Sequence, residues 1–123
     1  MIFDYEKDWF MRQISDMVRV AALIVFGKER PEYQLREEQE GISSSDDLYR
    51  HLTRLYDEQD YRQALAVLSG SLSAGRPDDL LAALDFYDRA NRLTEEELAA
   101  GGISREELLD SLQTVITLYE LPL

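Results

Sequence analysis

The chain has 123 residues, with 13 Lys or Arg against 25 Asp or Glu, a formal charge of −12, 45% hydrophobic residues and no cysteine. That is one domain's worth of chain with enough apolar content for a packed core, which excludes a wholly disordered acidic segment. It also excludes a disulfide framework, a thiolate metal site and a thiol nucleophile, and the acidic surplus opposes binding to a phosphate backbone.

Residues 1–30 carry five basic and five acidic side chains, with Asp4, Glu6 and Asp8 first, which is not the order of a secretory signal. From Tyr5 to Phe26, the residues Phe10, Ile14, Met17, Val18, Ala21, Ile24 and Val25 fall at helical spacing on one stripe, with Arg12, Asp16 and Arg19 on the other side. Gly27 is placed to end this helix and Pro31 lies just beyond. The run Val20-Ala21-Ala22-Leu23-Ile24-Val25-Phe26 is the longest apolar stretch. It is far short of the roughly twenty residues that cross a bilayer, so a cytoplasmic location is expected. After Val20 the polar face disappears, and an all-apolar helix end must be covered by the rest of the domain or by a partner chain.

Residues 28–47 read as a charged linker, from Lys28-Glu29-Arg30-Pro31 through Glu37-Glu38-Gln39-Glu40-Gly41 to Ser43-Ser44-Ser45, with room for a short helix from Tyr33 to Gln39. A second helix begins near Ser45 or Asp46 and presents Leu48, Leu52, Leu55 and Tyr56. Asp60, with Gln63 three residues later, caps a third helix carrying Tyr61, Ala64, Leu65, Leu68 and Leu72, which Gly75 is expected to end. Pro77 opens a fourth, where a missing N–H costs nothing, with Asp78 and Asp79 complementing the helix dipole and Leu80, Leu81, Leu84 and Tyr87 facing inward. Thr94 with Glu97 and Ser104 with Glu107 form capping boxes on either side of the Gly101-Gly102 stop, and Ile103 is placed to pack back on Leu98. Leu108, Leu112, Val115, Ile116 and Tyr119 mark the last helix. The domain organisation is thus an amphipathic helix over 1–27, a linker over 28–47 and a helical-hairpin bundle over 48–123, one domain overall.

Two resemblances sit on these residues. Leu55-Tyr56-Asp57-Glu58-Gln59-Asp60-Tyr61-Arg62-Gln63-Ala64-Leu65 resembles the turn of a tetratricopeptide repeat, with Ala64 as the small residue that lets two antiparallel helices meet. Leu52 and Gln59 stand where that motif usually has glycines, and the next repeat is degenerate, with Leu98 in place of the small residue. Across nearly the whole chain, Asp8-Trp9-Phe10-Met11-Arg12-Gln13-Ile14, Val25-Phe26-Gly27-Lys28, Ala83-Leu84-Asp85-Phe86-Tyr87 and Ile103-Ser104-Arg105-Glu106-Glu107 resemble a family of short proteins of unknown function from anaerobic Gram-positive bacteria. That resemblance implies an all-α fold and carries no activity or functional residue.

Candidate chemistry is thin. His51, the one histidine, has Asp47 four residues before it on the same helical face, a pair that would serve as two metal ligands or an oriented general base. Zinc needs three or four ligands, and neither HExxH nor a second histidine exists, so a surface histidine is the plainer reading. The acidic pairs Asp46-Asp47, Asp57-Glu58 and Asp78-Asp79 lack the order of a calcium loop and read as solvated faces. Ser43-Ser44-Ser45 lacks a nucleophile elbow, and Gly101-Gly102 is too short to cradle phosphate. No catalytic residue, metal or cofactor is expected.

The expectation is therefore an all-α domain of five to six helices with a long N-terminal helix and a tetratricopeptide-like hairpin. Its function is expected to be that of a non-catalytic interaction or self-association module, with a homodimer or another protein as partner. The candidate interface is Trp9, Phe10, Ile14, Met17, Ala21, Ile24, Val25 and Phe26. The alternatives are a small enzyme or metal binder using His51, and peripheral membrane association through the first helix, which a polar face without a basic excess disfavours. Charge supports the choice: residues 1–30 and 61–92 each sum to zero, while 31–60 and 93–123 each carry −6.

Overall fold

The computed structural model describes residues 4–34, 44–72 and 74–123. Among them are six helices and no strand: α1 (Asp4–Phe26), α2 (Ser44–Asp57), α3 (Tyr61–Ser71), α4 (Pro77–Ala90), α5 (Glu95–Ala100) and α6 (Arg105–Leu118). The protein is all-α, as the periodicity predicts. Short-range signals set several helix ends. Asp60 accepts from Gln63 N–H at the start of α3, and both capping boxes close, Thr94 with Glu97 and Ser104 with Glu107. Gly27, at φ 65°, ends α1, with its N–H on the Leu23 carbonyl at 3.1 Å. Pro77 begins α4.

Two boundaries differ from expectation. Helix α3 stops at Ser71, before Gly75, because Leu72 turns to an extended backbone (φ −87°, ψ 144°), and that half-buried side chain packs against the core. Helix α2 starts at Ser44, inside the stretch read as linker. The rest of that stretch divides. Leu35 to Ser43, with the Glu37–Gly41 breakers and most of the proposed short helix, lies outside the described residues. Residues 28–34 form no helix, yet Pro31 and Tyr33 are buried.

Helix α4 is the centre of the molecule. It touches α1, α2 and α6, and Leu80, Leu81, Ala82, Ala83, Leu84, Phe86, Tyr87 and Ala90 are all buried. Helices α2 and α4 run parallel: Ser45 Oγ donates to Asp79 Oδ1 near their starts (2.5 Å), and Arg89 Nη2 donates to Thr53 Oγ1 near their ends (3.2 Å). Helices α3 and α6 also run parallel, with Arg62 on Glu107 at 2.7 Å and then Leu65, Leu68 and Ser69 beside Ser111, Thr114 and Val115. The short α5 and its glycine stop lie between α4 and α6 in the chain.

That stop locks onto the α2–α3 turn. Gln59 makes the turn with a left-handed φ of 58°, the conformation for which glycine is usual there. Gly101 carbonyl accepts from Arg62 N–H at 3.0 Å. A Cβ on Gly101 would stand 2.0 Å from Cδ2 of Tyr61 and 2.8 Å from the Gln59 carbonyl oxygen, so only glycine fits this approach.

Candidate protein interface

Helix α1 lies against α4 and α6, and its stripe of predicted interface residues divides between core and surface. Ile14 and Ala21 are fully buried in the core, with Val18 and Ala22. Phe10, Met17, Val25 and Phe26 are partly buried and pack on its margin. Trp9 and Ile24 stand out at 52% and 51% exposure, and Leu23 joins them at 41%. The apolar end of α1 is therefore covered on one side only. Leu23 was missed by the stripe because helical spacing from Ile14 and Val18 does not reach it.

Trp9 sits at the mouth of a cavity of about 690 Å³ between α1 and the α5–α6 corner, lined by Glu6, Trp9, Phe10, Arg12, Glu95 and the Ser104–Glu106 start of α6. The Trp9 and Phe10 rings meet edge to face, centroids 5.2 Å apart, a favoured aromatic geometry. Below the cavity, Arg105 is buried and saturated. It donates to the Asn91 carbonyl (2.8 Å), Asn91 Oδ1 (2.9 Å), the Leu93 carbonyl and Glu95 Oε1 (2.8 Å). Buried arginines survive only with such a full set of acceptors, so Arg105 holds the α4–α5 connection against α6 and forms a rigid wall. Asn91 Nδ2 in turn donates to the Met11 carbonyl of α1 at 3.0 Å. Between Trp9 and Leu23 the outer face of α1 carries Arg12, Asp16 and Arg19, the last two 3.5 Å apart and both exposed.

The other candidates resolve into structural roles. His51 is half-buried beside a small hollow shared with Asp47, Val67, Ser71, Arg76 and Asp79, and among the described residues no group of three or more His, Asp or Glu is placed to hold a metal. The acidic pairs are not simply solvated. Asp46 and Asp79 are 1% and 2% exposed, because each accepts a hydroxyl that periodicity could not foresee: Tyr33 Oη on Asp46 Oδ1 at 2.6 Å and Ser45 Oγ on Asp79. Ser45 is thereby engaged as a donor. Asp85 accepts from Tyr33 N–H (2.9 Å) and pairs with Arg89 (2.8 Å), whose guanidinium lies over the rings of Tyr49 and Tyr56, while Tyr33 stacks on Tyr49. This network fastens residues 31–34 across α2 and α4.

Shifted pKa values have structural causes as well. Burial pushes the Tyr87 phenol well up, against a hydrogen bond with Ser111, and pushes Tyr119 up to about 12 with help from Asp79. Tyr61 is raised by burial and then by Tyr56 and Glu97, and the Arg62 hydrogen bond holds exposed Glu107 below its usual value. None of these groups faces the Trp9 cavity.

Residues 4–120 match the model of DUF6483, a family of unknown function. The chain belongs to that family. No curated protein and no solved structure matches it. Membership extends over every helix of the fold, and the geometry above is what this DUF6483 chain offers for a functional reading. Among the described residues, no helix is long and apolar enough to cross a membrane.

Proposed function

We propose that this chain is a non-catalytic protein-interaction module that self-associates through the outer face of α1. The observation that carries the reading is the exposure of Trp9, Leu23 and Ile24 on a helix whose opposite side is core. Single exposed apolar side chains are ordinary, but three large ones along one helix, beside the Trp9 cavity, leave surface that a partner would cover. Charge points the same way. With −6 on residues 31–60 and −6 on 93–123, two copies repel least when they meet at the neutral segment.

The rest of the fold supports a scaffold role. Helices α2 and α4 pair through residues 34 and 36 apart, the step of stacked tetratricopeptide units. We read α2–α3 and α4–α6 as two repeat-like hairpins, with α5 inserted before the second helix of the second unit. Two units are too few for a concave peptide groove, which leaves the α1 face as the contact surface, in a cytoplasmic protein. Sedimentation velocity tests the reading. The wild type is expected to sediment as a dimer, and Ile24→Asp as a monomer with unchanged helical content. A wild type that stays monomeric at every concentration overturns it.

A further inference from the structure

The outer face of α1 is self-complementary in one orientation only. At about 100° and 1.5 Å per residue, Leu23 lies about 40° to one side of Trp9 and Ile24 about 60° to the other, some 21 Å along the axis. Trp9, Gln13, Asp16, Val20 and Leu23 follow one another at alternating steps of four and three residues, the spacing of a helix seam that meets another helix. The seam is apolar at both ends and polar in the middle, where Asp16 and Arg19 sit. At one end is a hollow, the Trp9–Phe10 cavity; at the other are two protruding side chains, Leu23 and Ile24.

Resting on the self-association reading, we propose that two copies pair with their α1 helices antiparallel, about a twofold axis near Asp16, so that Leu23 and Ile24 of each copy seat on Trp9 and in the cavity of the other. A twofold across the seam sets each flank of α1 beside the same flank of its partner. Phe10, Met17 and Ile24 share one flank, so Ile24 arrives at Phe10 and the cavity, while Leu23 arrives at Trp9. Gln13 then faces Val20, and Asp16 comes within reach of the other copy's Arg19, so the charged groups at the centre exchange charge-assisted contacts. The two helix dipoles oppose. A parallel pairing would instead set Trp9 on Trp9 and Asp16 on Asp16, leave Ile24 away from the cavity and align the dipoles. The interface is closed and isologous, which stops at two copies rather than building a filament.

Trp9 is the chain's one tryptophan, and it lies too far from Ile24 of its own helix for contact. A change at Ile24 reaches the Trp9 environment through a second copy. Fluorescence followed across the concentration range of the sedimentation experiment should therefore show Trp9 emission moving to the blue as dimer forms. Ile24→Asp should remove that shift and raise the dimer dissociation constant about tenfold or more, with Leu23→Gln as a milder variant of the same kind. The chain lacks cysteine, so single thiols report register: Gln13→Cys mixed with Val20→Cys should cross-link under oxidation, while each variant alone should not. A dimer in which Trp9 emission stays fixed, or in which each single-cysteine variant cross-links with itself, overturns the antiparallel pairing and leaves self-association standing. A wild type that is monomeric throughout overturns both.

Discussion

Helices α1 and α4 each contain a run of consecutive apolar residues, Val20–Phe26 and Leu80–Leu84, and the two runs meet different fates. Leu80-Leu81-Ala82-Ala83-Leu84 of α4 is buried at every position. In Val20–Phe26 of α1, Ala21 and Ala22 are buried while Leu23 and Ile24 face outward. Composition does not separate the two. Position does: α4 packs against α1, α2 and α6, whereas among the described residues α1 packs mainly against α4 and α6. An apolar run states that something must cover it, and the order of helices along the chain decides whether that cover comes from the same molecule. On α4 the cover is complete; on α1 half of it is missing, and that half is the candidate interface.

The sharpest test of this contrast is one substitution made in each helix. Leu84→Ala removes a fully buried side chain and is expected to cost about 2–5 kcal/mol in urea denaturation, and Leu84→Asp is expected to leave no folded protein, since an unpaired charge there exceeds the whole stability of a small domain. Ile24→Asp, by contrast, should leave the circular dichroism spectrum unchanged. A tolerated Leu84→Asp would mean that α4 is not the enclosed element and would break the comparison. Next in size, Gly101→Ala tests what holds α4's surroundings closed. Its Cβ would enter the Tyr61 ring and force apart the α5–α6 corner and the α2–α3 turn, at a cost of about 1–3 kcal/mol. Gly70→Ala, where nothing lies within 4 Å, is the control, and equal effects of the two would remove the steric argument.

How much of this was legible beforehand follows from the range of the signals. Asp60 with Gln63, Thr94 with Glu97 and Ser104 with Glu107 act within one turn, so the chain alone shows them and the structure has each one. The end of α3 at Ser71 was not readable, because Leu72 leaves the helix to reach the core and a packing contact overrides the glycine signal at Gly75. Asp46 and Asp79 are buried rather than solvated for a related reason. Their burial depends on Tyr33 and Ser45, which lie 13 and 34 residues away, and no local pattern distinguishes a capping carboxylate from a buried acceptor. Arg105 likewise looks like an ordinary first-turn residue until Asn91 and Leu93 are seen to supply its carbonyls. On α1 the helix was legible, and so was the presence of surplus apolar surface; which residues formed that surplus depended on where α4 and α6 lie.

A smaller effect is expected at alkaline pH, and it reports enclosure at α4 directly. Tyr87 is buried within α4 and Tyr119 sits over its start, donating to the Arg76 carbonyl, and both phenols titrate above the ordinary value near 10, Tyr119 at about 12. In that range the folded chain holds protons that the unfolded chain has released, so stability falls as pH rises. The contribution is fully present below pH 10 and is lost as pH climbs through the folded values. Urea midpoints should therefore be level up to about pH 10 and decline beyond it, and Tyr119→Phe should flatten the decline. A midpoint that stays level to the onset of alkaline unfolding would show that these phenols ionise in place, and that α4's enclosure is looser than its burial indicates.

The smallest effect is the most informative about α1. Ile24→Ala removes half-exposed apolar surface from a helix position where alanine is the better helix former, so in the monomer its effect on stability should stay within about 0.5 kcal/mol. The same substitution should matter more as protein concentration rises, because a dimer binds only the folded state and adds stability by mass action. Urea midpoints of wild type and Ile24→Ala should thus coincide in dilute solution and separate in concentrated solution. If the variant instead loses about 2 kcal/mol or more at every concentration, the cost is that of a buried aliphatic side chain. Ile24 would then be covered within its own chain, and α1 would be as fully enclosed as α4.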